Sequence, residues 1–307
     1  LEIAISYFNR GLDDDAIKVL ERTSNNNPIN YLWLAYLTKD ESIINKVELL
    51  SPEFVFPFRR ETLEILNWSI LNNDDWKLKY YLALNYWAKD RDEEALILME
   101  ALKDIPNYGP FYAARASLRQ KMKKNGISQD LERSILLSND SWIIQLNAVK
   151  YFQSINQWER ALQLSSKVIE QFSDNFDAQI MHAKSLLYTN KLDEAIVFLD
   201  KANVLPSEMA RESRQLYEWV NLAKAIELLK KKNINLAKIY IEKSRDWPIN
   251  LGIGKPYKTD ESMQNMLTKF LNNELTNDEL ITKLKILKYK KSDYGSKLIN
   301  NLVKAVK

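Results

Sequence analysis

At five places in this chain an alanine stands five residues after a glycine or a polar turn residue. The five segments are GLDDDA at 11–16, DRDEEA at 90–95, NQWERA at 156–161, NKLDEA at 190–195 and KNINLA at 232–237. Two of these alanines, Ala161 and Ala195, are 34 residues apart. A small residue at a fixed distance from a turn lets two antiparallel helices pack closely, so the pattern predicts a series of helix hairpins.

The composition agrees with an all-α fold. Six glycines and eight prolines in 307 residues provide few sites for the tight turns that an all-β sandwich or barrel needs. The 46% hydrophobic and 28% charged fractions are typical of a soluble chain with a core and argue against disorder.

The residues that most kinds of reaction centre require are absent from this sequence. The chain has no cysteine, which excludes disulfides, thiolate nucleophiles and sulfur-ligated zinc. Its one histidine, His182, cannot form a multi-histidine metal site, so we expect a packing or hydrogen-bonding role for it. No GxxxxGK(S/T), GxSxG or HExxH motif occurs, and the glycines at 252 and 254 indicate a turn. We therefore expect no catalytic residue, cofactor or metal, and no enzyme activity.

Acidic clusters follow several of the predicted turns. Asp13, Asp14 and Asp15 occupy the first turn of one predicted helix, and Glu93 and Glu94 occupy the first turn of another. Negative charge at this end complements the helix dipole. The clusters are therefore interpreted as helix-stabilising rather than as an acid–base pair.

The residues around these turns carry a family resemblance. In the first hairpin the small, aromatic, turn, small, large and proline positions are filled, in that order, by Ala4, Tyr7, Gly11, Ala16, Leu20 and Pro28. Later hairpins repeat the pattern with Tyr86, Ala95, Met99 and Pro106, and with Ala183, Leu186, Ala195, Leu199, Ala202 and Pro206. These positions resemble the tetratricopeptide repeat (TPR) family. The resemblance implies a right-handed α-helical solenoid of about seven helix pairs and a protein-interaction or scaffold role.

The repeat pattern divides the chain into two predicted parts. Residues 1–248 are the TPR-like superhelix, with irregular stretches at 31–75, where Pro52 and Pro57 forbid continuous helix, and at 107–139. Residues 249–307 are a linker loop followed by C-terminal capping helices, because the last repeat of a solenoid needs its apolar face covered. The capping helices are expected near 260–272, 277–288 and 292–306.

A narrower resemblance concerns residues 51–69, 76–87 and 244–257. These segments resemble the C-terminal repeat half of large bacterial proteins whose N-terminal half is a β-rich domain associated with carbohydrate use. The chain also begins at Leu1 rather than at methionine, which suggests a piece of a longer protein. The resemblance implies that the repeats dock a protein, a peptide or an N-terminal domain of the same polypeptide. The sequence specifies neither the compartment nor the oligomeric state.

The resemblance also implies where a ligand binds. In TPR proteins the inner surface is lined by the second, fifth, ninth, twelfth and thirteenth positions of each first helix. Three predicted first helices, which begin at 76, 142 and 176, supply these positions. The residues are Lys77, Tyr80, Leu84, Trp87 and Ala88 on the first helix, Ile143, Leu146, Lys150, Gln153 and Ser154 on the second, and Asp177, Ile180, Lys184, Leu187 and Tyr188 on the third. The candidate groove residues are Tyr80, Trp87, Arg115, Lys150, Lys184 and Tyr188. Such a mixed surface suits an extended peptide or a helix.

The identities of the polar residues leave alternatives open. Leu146 and Asp177 stand where some TPR proteins carry groups that clamp a peptide carboxylate, so that clamp is not predicted. Lys150, Lys184 and Arg115 could attract an acidic segment, or the lysines are ordinary solvated side chains. Two rival functions are an α/α-toroid carbohydrate enzyme and a glycan-binding protein that uses Trp87 and Tyr188 without catalysis.

The C-terminal segment is basic. Residues 280–307 contain eight lysines and one acidic residue, Asp293. Such a segment could contact a membrane surface or a nucleic acid, but the lysines alternate with aliphatic residues as on the solvated face of an amphipathic helix. We expect no nucleic-acid partner, and no apolar run reaches the roughly 18 residues of a membrane span.

Overall fold

The computed structural model describes residues 1–23, 26–206, 210–287 and 293–306. All regular elements within these residues are helices, which confirms the all-α fold of TPR-like hairpins. The helix limits expected at Lys288 and Ser292 lie outside the described residues.

The chain forms two compact units, Leu1–Ile144 and Gln145–Lys307. The helices that begin in the first unit are α1 (Glu2–Phe8), α2 (Asp13–Glu21), α3 (Pro28–Thr38), α4 (Ile44–Glu48), α5 (Thr62–Asn72), α6 (Trp76–Trp87), α7 (Asp92–Ala101), α8 (Gly109–Lys121), α9 (Ile127–Leu137) and α10 (Trp142–Ser154). Those of the second unit are α11 (Trp158–Gln171), α12 (Phe176–Tyr188), α13 (Leu192–Lys201), α14 (Ala210–Lys230), α15 (Ile234–Lys243), α16 (Ser262–Leu271), α17 (Asn277–Ile286) and α18 (Asp293–Val306). Helix α10 starts in the first unit and ends in the second.

Helices that are close in sequence pack in pairs in each unit. In the first unit these are α1 with α2, α3 with α5, α6 with α7, and α8 with α9. In the second unit α12 packs on α13 and α14 packs on α15, while α10 and α11 are joined by the turn at Asn156. The irregular stretch 31–75 contains the short α4 and a non-helical segment between α3 and α5, as the two prolines predicted. The stretch 107–139 is the α8–α9 hairpin, interrupted at Gly126.

The five turns singled out in the sequence share one backbone conformation. Gly11, Asp90, Asn156, Asn190 and Lys232 all have left-handed φ values, between 57° and 73°. In each turn the next N–H donates to the carbonyl five residues earlier, as Lys191 does to Leu186 at 2.9 Å. This is the bond of a Schellman motif, which ends a helix and satisfies an otherwise unpaired carbonyl. Glycine, asparagine and aspartate recur because they tolerate this conformation best.

The alanines after these turns are packing residues. Ala16, Ala95, Ala161, Ala195 and Ala237 are all fully buried. Each lies in the second helix of its hairpin, where a larger side chain would press against the first helix. The hairpins predicted from the alanine spacing are therefore confirmed.

The helices after residue 248 belong to the second unit. Helix α18 packs chiefly on α14, a helix of 21 residues, and buries Leu298, Leu302 and Val306 there. The backbone at Gly252 has φ 71°, and a Cβ added there would lie 2.5 Å from the carbonyl oxygen of Val204, which confirms a structural turn. The boundary expected after residue 248 and the right-handed sense of the solenoid stay predictions.

Candidate functional site

The first unit contains a groove whose lining residues are mostly aromatic or proline. It has a volume of about 440 Å³ and is lined by Tyr80, Leu84, Trp87 and Ala88 of α6, by Pro110 and Ala114 of α8, and by Phe56, Pro57 and Phe58 of the preceding loop. We call these nine residues the aromatic groove. Four of the five inner positions predicted on α6 are among them, including the candidate residues Tyr80 and Trp87.

One wall of the aromatic groove is a non-helical segment, and its side chains alternate between core and solvent. Val55 and Pro57 are buried, whereas Phe54, Phe56 and Phe58 are 81%, 71% and 55% exposed. Phe54 lies in a turn with φ 57°. In the segment after it, the buried Val55 and Pro57 alternate with Phe56 and Phe58, which therefore face outward. These phenylalanines are not among the site residues predicted from sequence, although their spacing of two in SPEFVFPF is a visible signal.

Side chains of α6 and of the turn after it hold this wall and its flanking residues in place. The ammonium of Lys77 donates to the carbonyls of Glu48 at 2.5 Å and Leu50 at 2.8 Å. The amide of Asn85 donates to the carbonyl of Arg59 at 2.9 Å, and Lys89 donates to the carbonyl of Phe58. Because the wall lacks regular secondary structure, these bonds replace the backbone partners that a helix or sheet would supply.

Tyr80 and Trp87 differ in their surroundings. Tyr80 is buried among the rings of Trp76, Tyr108 and Phe111, with centroid distances between 5.6 and 6.1 Å, and this burial raises the pKa of its hydroxyl. Trp87 is only half-buried, in the last turn of α6. Trp87 is therefore more accessible than Tyr80, although both line the same groove.

Arg115 lies away from any accessible surface. Its side chain is buried, and its guanidinium lies 2.7 Å from the carboxylate of Asp130 and donates to the carbonyl of Lys103 at 2.5 Å. The expectation that Arg115 faces a ligand is corrected accordingly, because its charge is already used to join α8, α9 and the end of α7.

A second groove lies within the second unit. Its volume is about 300 Å³, and its lining residues are Lys150, Gln153, Ser154, Trp158, Asp177, Ile180, Met181, Lys184 and Glu212. Six of these occupy inner positions predicted on α10 and α12. We call these nine residues the mixed groove.

The charges of the mixed groove balance. Lys184 pairs with Glu212 at 2.9 Å, and the lining contains two lysines and two acidic residues, Asp177 and Glu212. Lys150 is solvent-exposed. A groove without net charge gives no particular attraction to an acidic segment, so the geometry favours the solvated-lysine interpretation.

Tyr188 is covered by its own chain. Its ring stacks on the indole of Trp158 with a centroid distance of 3.8 Å and an interplanar angle of 16°. Tyr294 of α18 lies 4.9 Å from the same ring. Helix α18 thus packs against a predicted inner position, and Tyr188 does not line the mixed groove.

His182 borders a third cavity, of about 780 Å³, in the second unit. Its Nδ1 lies 3.1 Å from the hydroxyl of Ser165, and its ring meets Phe198 edge-on at 4.8 Å. Burial lowers the pKa of His182 to about 4. These contacts confirm the packing and hydrogen-bonding role expected from the sequence.

Within the described ranges, no three His, Cys, Asp or Glu side chains gather closely enough to hold a metal ion. Among the helices of those same ranges, none combines the length and the apolar character that crossing a bilayer requires.

Comparison with known proteins gives structural similarity only. No protein-family model matches the sequence, and no curated protein does. Three similar solved structures are YrrB, described as a TPR protein with an unusual peptide-binding site, a thermophilic TPR protein of Thermus thermophilus, and a TPR protein of Parabacteroides merdae.

These similarities are distant. The identities are 17%, 19% and 16%, and the TM-scores are 0.42, 0.36 and 0.38. The matches cover 65%, 61% and 89% of this chain and 90%, 97% and 97% of the respective structures. The fold described above therefore depends on the helices and turns of this chain itself. The narrower resemblance to the C-terminal half of large bacterial proteins stays a prediction, and the comparisons give no support to a carbohydrate-associated role.

Proposed function

We propose that this chain is a non-catalytic protein-interaction module that binds a segment of a partner protein, or of a neighbouring domain of its own polypeptide, in the aromatic groove. The observation that carries the proposal is the exposure of Phe56 and Phe58 beside the half-buried Trp87. Contiguous exposed apolar surface is unfavourable in water, and on soluble proteins it marks interaction sites.

The residue types in the groove support the same conclusion. Aromatic residues dominate the binding energy of protein interfaces, because a large ring buries much area while fixing few torsion angles. The wall that carries Phe56 and Phe58 is held by Lys77, Asn85 and Lys89, so a ligand meets a preformed surface. Preformed surfaces lose less entropy when they bind.

Peptide display on the purified chain tests the proposal. A library of random peptides of about twelve residues is selected, and the affinity of enriched peptides is measured by fluorescence anisotropy. We expect Trp87→Ala to weaken binding by about tenfold or more, as for other aromatic interface residues. Leu71→Ala is the matched control, because Leu71 is an exposed apolar residue of the same unit outside the groove.

Two outcomes contradict the proposal. One is the absence of any enriched peptide. The other is a set of enriched peptides whose affinity is unchanged by Trp87→Ala in a variant that keeps the wild-type circular dichroism spectrum.

A further inference from the structure

The turn between α8 and α9 contains the one Asn–Gly pair of the sequence, Asn125–Gly126. Asn125 is exposed, and the backbone of Gly126 is left-handed, with φ 90°. A residue with a side chain adopts this conformation only at a cost, so the turn itself favours glycine after Asn125. A Cβ at position 126 would also lie 2.6 Å from Nη1 of Arg119. The geometry of the turn therefore keeps a glycine next to this asparagine.

An asparagine that precedes glycine can react with its own backbone. The attacking atom is the backbone nitrogen of the next residue, and the atom attacked is Cγ of the asparagine, so the two atoms close a five-membered ring. Glycine has no Cβ to obstruct the approach, and its backbone has the greatest freedom to reach Cγ. Asparagine accordingly counts among the thermolabile residues of proteins.

Both reacting groups of this pair lack hydrogen bonds. Within the described part of the chain, neither the carboxamide of Asn125 nor the N–H of Gly126 has a hydrogen-bond partner. The bond that ends α8 is made by the residue before them, since the N–H of Lys124 donates to the carbonyl of Arg119 at 2.8 Å. Attack on Cγ of Asn125 therefore breaks no hydrogen bond first.

Two other exposed asparagines in turns between helices differ in this respect. Asn156 and Asn190 lie in Schellman turns of the second unit. Each is followed by a residue with a side chain, Gln157 or Lys191, whose N–H donates to a carbonyl at 2.8 Å and 2.9 Å respectively. Attack at these positions meets a side chain and costs the hydrogen bond that ends the helix. Asn125 has neither obstacle.

We propose that Asn125–Gly126 is a site of spontaneous covalent modification by deamidation. The backbone nitrogen of Gly126 forms a bond to Cγ of Asn125, the bond from Cγ to the carboxamide nitrogen breaks, and ammonia leaves with the proton of the Gly126 N–H. Water then adds to one of the two carbonyls of the succinimide ring, and the bond from that carbonyl to the ring nitrogen breaks. The reaction needs no other reactant and is independent of the proposed function.

The two products differ in their backbone. Opening at one carbonyl gives aspartate with the normal chain, and opening at the other gives isoaspartate, in which the chain runs through the side-chain carbon. Both products carry a new negative charge. Beside the N-terminus of α9 this charge is favourable, so aspartate should be tolerated.

Isoaspartate lengthens the link between α8 and α9 next to a network of charged side chains. The carbonyl of Gly126 accepts from Nη1 of Arg119 at 3.3 Å and from the N–H of Asp130 at 3.2 Å. The same nitrogen of Arg119 lies 2.8 Å from the carboxylate of Asp130. Because the extra backbone carbon displaces Gly126, these bonds weaken, and we expect isoaspartate to destabilise the α8–α9 hairpin.

Incubation of the full chain at mildly alkaline pH, which promotes loss of the amide proton, tests the site. Tryptic digestion and mass spectrometry follow the conversion of asparagine in the peptides that contain residues 125, 156 and 190, with an unincubated sample digested in parallel. We expect conversion at Asn125 to be about tenfold or more faster than at Asn156 or Asn190. Asn125→Gln is the matched control, because its longer side chain would have to close a six-membered ring, and conversion at 125 should be lost.

Two results would overturn the modification site. One is an Asn125 that stays intact in the folded chain while the same residue reacts in the chain unfolded in urea, since the fold would then protect it. The other is conversion at Asn156 or Asn190 that is as fast as at Asn125.

Thermal unfolding tests the effect on the hairpin. The incubated wild-type chain should melt at a lower temperature than the fresh chain, in proportion to its isoaspartate content. Incubated Asn125→Gln and fresh Asn125→Asp should each melt like the fresh wild type. An unchanged melting temperature at high isoaspartate content would contradict the effect on the α8–α9 hairpin.

Discussion

The guanidinium of Arg115 lies 2.7 Å from the carboxylate of Asp130, and both side chains are almost completely buried. Arg119 approaches the other oxygen of the same carboxylate at 2.8 Å. One acidic side chain of α9 therefore bridges two arginines of α8, and Arg119 has a second acidic neighbour in Glu100 at 3.4 Å. This arrangement explains why Arg115 is a structural residue of the first unit and not a ligand-binding one.

We predict that Asp130→Ala destabilises the first unit by about 3–5 kcal/mol, because it leaves a buried arginine without its partner. The measurement is the free energy of unfolding from urea denaturation. Asp104 provides the control, since it lies 3.7 Å from Arg115 but has a side chain that is 85% exposed. Asp104→Ala should cost about 0–1 kcal/mol, and equal losses in the two variants would contradict the interpretation.

Substituting leucine for Ala161 should overpack the hairpin in which it lies. Ala161 is fully buried, and we expect Ala161→Leu to lower the free energy of unfolding by about 1–3 kcal/mol. Ala101→Leu is the matched control, because Ala101 is an exposed alanine at the end of α7. Thermal unfolding of the two variants distinguishes them, and an unchanged melting temperature for Ala161→Leu would contradict the packing role.

His182 should make stability depend on pH. Its pKa falls from 6.5 to about 4 in the folded chain, because burial disfavours the charged ring. As the pH falls below 6.5 the unfolded state takes up the proton first, so the stability due to neutral His182 is lost between pH 6.5 and about 4. Above pH 6.5 the ring is neutral in both states, and no further change is expected from it.

The chain has one histidine, so a ¹H–¹⁵N NMR titration follows it without overlap. We expect a pKa near 4 and, for His182→Gln relative to the wild type, a smaller loss of unfolding free energy between pH 6.5 and 4. Carboxylate titrations are common to both proteins and cancel in the difference. A titration midpoint at 6.5 would show that the imidazole is not buried as described.

Lys77 should matter for both stability and binding. Its ammonium donates to carbonyls that precede the groove wall, and Lys77→Met leaves them unsatisfied at a cost of about 1–3 kcal/mol. Peptide affinity should also fall, because the wall loses its anchor. Lys79→Met is the control, since Lys79 pairs with the exposed Asp74 and its loss should cost about 0–1 kcal/mol. Equal effects of the two variants on peptide binding would contradict the anchoring role.

The repeats were predictable from sequence because their determinants are local. A left-handed turn residue such as Asn190 and a buried alanine such as Ala195 act within one hairpin, so their spacing survives in the sequence. The inner positions on α6 follow from the same register, and Tyr80 and Trp87 indeed lie in one groove.

The remaining features depend on contacts between distant residues. Nothing near Arg115 in sequence shows that Asp130 of the next helix will bury it. The covering of Tyr188 depends on Tyr294, which lies more than a hundred residues later. The phenylalanine wall falls in a stretch outside the repeat pattern, where the helical period gives no information about which side chains face solvent.

The indole N–H signal of Trp87 gives the most direct test of binding in the aromatic groove. The chain has eight tryptophans, and Trp87→Phe assigns the signal of Trp87 by its disappearance from the ¹H–¹⁵N spectrum. On titration with a display-selected peptide, we predict that this signal shifts to saturation while that of Trp158 in the second unit stays in place. A saturating shift at Trp158 with none at Trp87, or no shift at either, would contradict the account.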